Sequence, residues 1–125
     1  MVTIAFTTRD FHSKDCTHAG HTPDGNLWLA EFGGQNIGKI TASGTITEYS
    51  STGGYPYFIC AGPDGNLWFT ENSANKIAKV TTSGAITKYA IPTSNSQPRS
   101  ICAGSDGNLW FAEQNGNKIG NLLLV

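Results

Sequence analysis

Pro63-Asp64-Gly65-Asn66-Leu67-Trp68-Phe69-Thr70-Glu71 is the segment from which the rest of the chain can be read. Its centre, Asp-Gly-Asn-Leu-Trp, occurs three times, beginning at Asp24, Asp64 and Asp106, and each copy runs on to a glutamate: Glu31, Glu71 and Glu113. The match extends on both sides. Upstream, Ile59-Cys60-Ala61-Gly62 corresponds to Ile101-Cys102-Ala103-Gly104. Downstream, Asn36-Ile37-Gly38-Lys39-Ile40, Asn75-Lys76-Ile77-Ala78-Lys79-Val80 and Asn117-Lys118-Ile119-Gly120 correspond to one another, as do Ser43-Gly44-Thr45-Ile46-Thr47 and Ser83-Gly84-Ala85-Ile86-Thr87. Self-similarity at a period of about 40 residues marks a repeat architecture.

One unit reads as four short strands. Strand A is Tyr57 to Gly62, and Pro63-Asp64-Gly65-Asn66 is a turn whose glycine supplies a positive φ. Strand B is Leu67 to Glu71, strand C is Lys76 to Thr81, and strand D is Ala85 to Ile91, with Ser83-Gly84 as the second turn. Four antiparallel strands in about 40 residues make one blade of a β-propeller. Turn signals recur too often for any long helical period. In strand B, Leu67 and Phe69 alternate with Trp68, so both faces are apolar, as a blade flanked on both sides requires.

The expected fold is therefore all-β: a single half-propeller domain over residues 1–125, with three blades at roughly 1–43, 44–83 and 84–125, each in D-A-B-C order. The first blade is aligned by treating His21-Thr22 as an insertion, and the chain opens with a strand D in which Val2-Thr3 matches Ile86-Thr87. Propellers close with about four to eight blades. Three blades leave two apolar faces and a strand edge open, so a head-to-tail homodimer of six blades is expected, with the first strand of each copy completing the last blade of the other.

Charged residues make up 14% of the chain, well under the ~25% of ordinary soluble domains, and Thr, Ser, Asn and Gly replace them. A net charge of −1 gives no electrostatic footprint for nucleic acid or an anionic membrane. No apolar run reaches the ~18 residues of a spanning helix. Met1-Val2-Thr3-Ile4-Ala5-Phe6 lacks the basic and apolar regions of a signal peptide, which points to the cytoplasm. Cys16, Cys60 and Cys102 form no metal or disulfide pattern, and Cys60 and Cys102 read as small buried strand residues. Trp28, Trp68 and Trp110 read as packing residues.

Gly62-Pro63-Asp64-Gly65-Asn66-Leu67-Trp68-Phe69-Thr70-Glu71, followed by Asn-Lys-Ile and then by Ser-Gly-x-Ile-Thr-x-Tyr, resembles the repeat of the virginiamycin B lyase family, and the resemblance covers essentially the whole chain. It implies a propeller fold. It also implies a Mg-dependent carbon–oxygen lyase that opens streptogramin B antibiotics by elimination, with a catalytic His at the start of a strand A and a Glu fourteen residues later. The Glu corresponds to Glu31, Glu71 and Glu113, while the His position holds Asp15, Tyr57 and Arg99. His18, three residues beyond Asp15, is the nearest imidazole, so Glu71, Glu113 and His18 are the residues a lyase would use.

Glu31, Glu71 and Glu113 admit two roles. Brought together they would bind ligand or a hard cation such as Mg²⁺ or Ca²⁺; kept apart, each would accept hydrogen bonds within its own blade. Asp15, Tyr57 and Arg99 vary against a constant frame, as a ligand-binding mouth does. His12, His18 and His21 are close in sequence but have no local carboxylate or thiolate set to complete a metal site. The expected function is a non-enzymatic binding module, dimeric and six-bladed, with a ligand or cation site at the channel mouth. Its partners would be a second copy and a small molecule or glycan, with no nucleic acid and no membrane. A lyase of the family's type, and a fragment or cassette product without selected activity, are the alternatives.

Overall fold

The computed structural model describes the backbone of residues 16–21 and 25–124 and the side chains of residues 25–124. Eleven strands follow in chain order: β1 (Cys16–His21), β2 (Leu27–Glu31), β3 (Asn36–Ile40), β4 (Ile46–Ser50), β5 (Pro56–Ala61), β6 (Leu67–Glu71), β7 (Lys76–Val80), β8 (Ile86–Ala90), β9 (Pro98–Ala103), β10 (Leu109–Glu113) and β11 (Lys118–Leu122). They form antiparallel sheets β1-β2-β3-β4, β5-β6-β7-β8 and β9-β10-β11. Each sheet is one blade, and hydrogen bonding groups strands A, B and C with the D strand that follows them. The expected strand B of the middle blade matches β6 residue for residue, and strands A, C and D agree to within a residue at each end. The proposed opening strand at Val2-Thr3 lies outside the described residues.

Strand register corrects one sequence alignment. Gly20 faces Trp28 as Cys60 faces Trp68 and Cys102 faces Trp110, and Cys16 faces Glu31 as Pro56 faces Glu71 and Pro98 faces Glu113. The first blade therefore has no inserted pair at His21-Thr22. Its counterpart of Tyr57 and Arg99 is Thr17, where the sequence alignment placed Asp15. The repeat in the first strand A is too degenerate to fix its register by eye, whereas the hydrogen-bond ladder admits one solution.

Inner strands β1, β5 and β9 lie side by side, and the blades stack face to face around them. Two apolar clusters fill the two seams. The first joins Trp28, Ala30 and Ile37 of one blade to Leu67, Phe69, Ala78 and Val80 of the next. The second joins Trp68 and Ile77 to Leu109 and Phe111. Successive side chains of a strand point to opposite faces, so β6 is buried along its whole length, while β2 and β10 each bury one face and open the other. This accounts for two departures from expectation. Trp110 is exposed although Trp28 and Trp68 are buried, and Cys102 is exposed although Cys60 is half-buried. Burial, and next the proximity of Cys102, push the Cys60 thiol up to about 12.

The repeated Asp and Trp are explained by a bond across the A–B turn. Asp64 accepts from the Trp68 indole Nε1 at 3.0 Å, from the Asn66 backbone N–H at 3.1 Å and from Asn66 Nδ2 at 3.0 Å. Asp106 accepts in the same way from Trp110 Nε1 at 3.2 Å and from the Asn108 N–H at 3.1 Å. The intervening Gly65 and Gly107 both have φ of +82°, with open space where a Cβ would go, so backbone conformation alone selects glycine. The chain thus ties the strand-B indole, buried in the middle blade and exposed in the last, to a turn carboxylate of its own blade.

Desolvation works against the charged form of Asp64, but the hydrogen bonds from Trp68 and Asn66 outweigh it and hold the carboxyl below its usual range. For Asp106 the Asn108 backbone N–H and the Trp110 indole act in the same direction. A depressed folded-state pKa contributes stability that is present above the unfolded value near ~3.9 and is lost as pH falls through the folded value. Asp64→Ala leaves the buried Trp68 N–H without its acceptor and is expected to cost about 1–3 kcal/mol at neutral pH. The variant should also lose less stability than the parent as pH drops from about 4 towards 2, a difference read by urea unfolding across that range.

Candidate functional site

The three repeated glutamates are buried at the ends of β2, β6 and β10, with Glu31 5%, Glu71 0% and Glu113 6% exposed. Alternation places Glu71 on the face of β6 that carries Leu67 and Phe69, so its carboxylate enters the seam between the first and second blades. There Lys88 Nζ lies 2.8 Å from Glu71 Oε1 and also donates to the Ser51 carbonyl, which closes β4 of the preceding blade. The Gly54 backbone presses on the same carboxylate, and a Cβ at Gly54 would collide with it. Glu113 packs against Gly116, which also meets Thr93, and Glu31 packs against Gly34, each in its own B–C turn. Among the described residues no three His, Cys, Asp or Glu side chains come near enough to hold a metal ion. The structure therefore distributes these carboxylates over separate packing positions. The partner it gives Glu71 is Lys88, from β8 of the same blade.

The same end of the blades assembles a different group. Tyr57 and Arg99 begin neighbouring inner strands β5 and β9, and the Arg99 guanidinium lies over the Tyr57 ring at 5.1 Å. Phe32, from the first blade's B–C turn, meets the Tyr57 ring edge-on at 5.9 Å and the Tyr55 ring at 5.4 Å. Thr70 sets the spacing: its hydroxyl accepts from the Phe58 N–H at 3.1 Å and donates to the Arg99 carbonyl at 2.8 Å, bolting the two strand starts together. The Asn72 side chain adds a bond to the Pro98 carbonyl at 3.0 Å. Tyr55 is held at φ +51° ahead of Pro56, and Gln97 has the same conformation ahead of Pro98, so the way into strand A is a property of the blade.

Of the residues singled out from sequence, Tyr57 and Arg99 are thus brought into contact, while Glu31, Glu71 and Glu113 are buried at the ends of three separate strands. Asp15 and His12 lie outside the described residues, and for His18 and His21 only the backbone of β1 is described. Sequence reasoning missed Phe32 and Tyr55. Phe32 follows the conserved-position Glu31 of the repeat, where the other blades have Asn72 and Gln114, and that break in the repeat was the available signal.

Chemically, this cluster is a half-exposed aromatic floor with a cation on top. Stacking occupies the flat face of a guanidinium and leaves its N–H edge directed to solvent. Among the described residues no carboxylate is paired with Arg99. Such a surface suits a ligand that offers both a planar ring and a hydrogen-bond acceptor. No helix among the described residues is long and apolar enough to cross a membrane.

Residues 5–124 match the model of the virginiamycin B lyase family. No curated protein matches the sequence. Among solved structures, a streptogramin B lyase superposes with a TM-score of 0.86 at 41% identity, over 90% of this chain and 39% of that one. A catalytically inactive His→Ala virginiamycin B lyase from Staphylococcus aureus, solved with quinupristin, gives 0.83 at 43% identity, over 86% and 38% of the respective chains. The WD40 β-propeller domain of Doa1 shares the fold at a TM-score of 0.72 and 15% identity, over 88% of this chain and 37% of that one. The chain thus spans well under half the length of the lyases it matches.

A buried charge that loses its counter-ion is strongly destabilising. Lys88→Met is therefore expected to cost about 3 kcal/mol, and the double variant Lys88→Met/Glu71→Gln should recover a large part of that loss. Equilibrium urea unfolding of the parent, the single variant and the double variant checks both statements.

Proposed function

The chain belongs to the virginiamycin B lyase family, and from that premise we propose that it is a ligand-binding propeller module, completed to six blades by a second copy, whose site is the Phe32, Tyr55, Tyr57 and Arg99 cluster. The observation that carries this reading is the Arg99–Tyr57 stack at 5.1 Å, with Phe32 edge-on to the Tyr57 ring, at the strand-A starts. The family resemblance puts a catalytic histidine at those starts; here Thr17, Tyr57 and Arg99 occupy them. The nearby glutamates serve packing, Glu71 through its ion pair with Lys88. Aromatic rings and a guanidinium are binding groups. The ligand class is a small molecule bearing an aromatic ring and a carbonyl or carboxylate acceptor.

Membership of a lyase family supports a second reading, in which the chain opens a streptogramin B ring with Mg²⁺ and with Glu71 or Glu113 taking part. One probe addresses both, because quinupristin is the compound found with the inactive relative. Titrating it into the protein should give saturable binding by calorimetry. Tyr57→Ala and Arg99→Ala should each weaken that binding about tenfold, the scale of one stacking or cation–π contact. Chromatography of quinupristin incubated with protein and Mg²⁺ should show the ring intact. Ring opening that disappears in Glu71→Gln or Glu113→Gln would establish the lyase reading in its place, and binding indifferent to Tyr57 and Arg99 would remove the proposed site.

A further inference from the structure

The two outer faces of the three-blade arc are complementary halves of a contact the chain already makes twice. Repeat-equivalent residues show this directly. Leu67 and Leu109 are 1% and 0% exposed, whereas their counterpart Leu27 is 40% exposed. Trp28 and Trp68 are 0% and 2% exposed, whereas Trp110 is 39% exposed. Ile37 and Ile77 are likewise buried, and Ile119 is 70% exposed. In both internal seams the Trp and Ile face of one blade receives the face of the next blade that carries the leucine and the aromatic two residues on. The last blade presents an unmatched Trp110 and Ile119 face, hollowed into an apolar cavity of about 350 Å³ that Cys102 and Ala112 also line. The first blade presents an unmatched Leu27 and Leu29 face.

We propose that Leu27 and Leu29 of one copy fill the Trp110 and Ile119 cavity of a second copy, so that two identical head-to-tail seams close the pair. The inference rests on the pairing proposed above and adds the residues and polarity of the contact. A second copy is the fitting occupant because the surface required is the one this chain itself displays at its other end. The blade-to-blade geometry that both internal seams use needs no new chemistry. A head-to-tail contact of this kind is heterologous and closes when the rotation per step returns to the start after two copies. Apolar faces of this extent, open to water, are association surfaces.

The test uses the 125-residue chain. Light scattering should give about twice the 13.3 kDa chain mass. Ile119→Glu and Leu27→Lys each place a charge in both seams, and each should raise the dimer dissociation constant about a hundredfold or more. Both positions are exposed within one copy, so the variants should keep the parent circular dichroism, while their unfolding loses the concentration dependence that association gives the parent. Mixed together, the two variants should form a heterodimer, since one seam is then unmodified and the other pairs Glu with Lys. Leu123→Glu, exposed and facing Trp68 and Tyr89 of the middle blade, should leave the dimer unchanged. A monomeric parent overturns the pairing and the seam together. A dimer indifferent to both variants keeps the pairing and overturns the seam. Dissociation by Ile119→Glu alone, with Leu27→Lys silent, overturns the head-to-tail polarity.

Discussion

A propeller blade has two apolar faces, and one neighbour can cover only one of them. That constraint organises this protein. Strand B concentrates it, because Leu, Trp and Phe alternate along five residues that must be buried on both sides. The middle blade meets the requirement and buries β6 completely, whereas β2 and β10 are each buried on the side that has a neighbour. Burial here follows from the position of a blade in the arc and not from residue identity: the same leucine, tryptophan and isoleucine positions are closed in one blade and open in another.

Polar groups are arranged to serve those seams. The Asp64–Trp68 bond satisfies an indole N–H that would otherwise be buried without a partner, and because it lies within one turn the same bond recurs at Asp106 and Trp110. Trp28 has the same place in the first blade, and its repeat partner Asp24 lies outside the described residues. Lys88 joins the Glu71 carboxylate of one blade to the Ser51 carbonyl of the preceding one, so the loop between blades is fixed by charge as well as by packing. Stacked Trp28–Tyr49 and Trp68–Tyr89 rings, each with a lysine near the indole, extend the same pattern to the outer strands.

Function on such a frame has room where the repeat breaks. Glu31, Glu71 and Glu113 repeat and are buried at the ends of β2, β6 and β10. Tyr57, Arg99 and Phe32 vary between blades and meet at one end of the inner strands. Repetition draws the eye to the glutamates in a sequence, but a group present in every blade serves what every blade shares.

Strand content, turn positions and blade count were legible in the sequence, because each depends on residues within about ten positions of one another: alternating apolar side chains, a glycine at positive φ, and a 40-residue period. Tyr57 and Arg99 were legible as a variable pair, since equivalent positions in successive repeats fall on neighbouring inner strands. Tertiary structure alone decided the rest. The register of β1, which puts Thr17 in the place expected for Asp15, comes from a ladder of backbone bonds that the degenerate first repeat does not reveal. The pairing of Glu71 with Lys88, the contact of Phe32 with Tyr57, and the exposure of Trp110 and Cys102 all depend on which face of which blade has a neighbour. That is a property of the assembled arc, and no single repeat contains it.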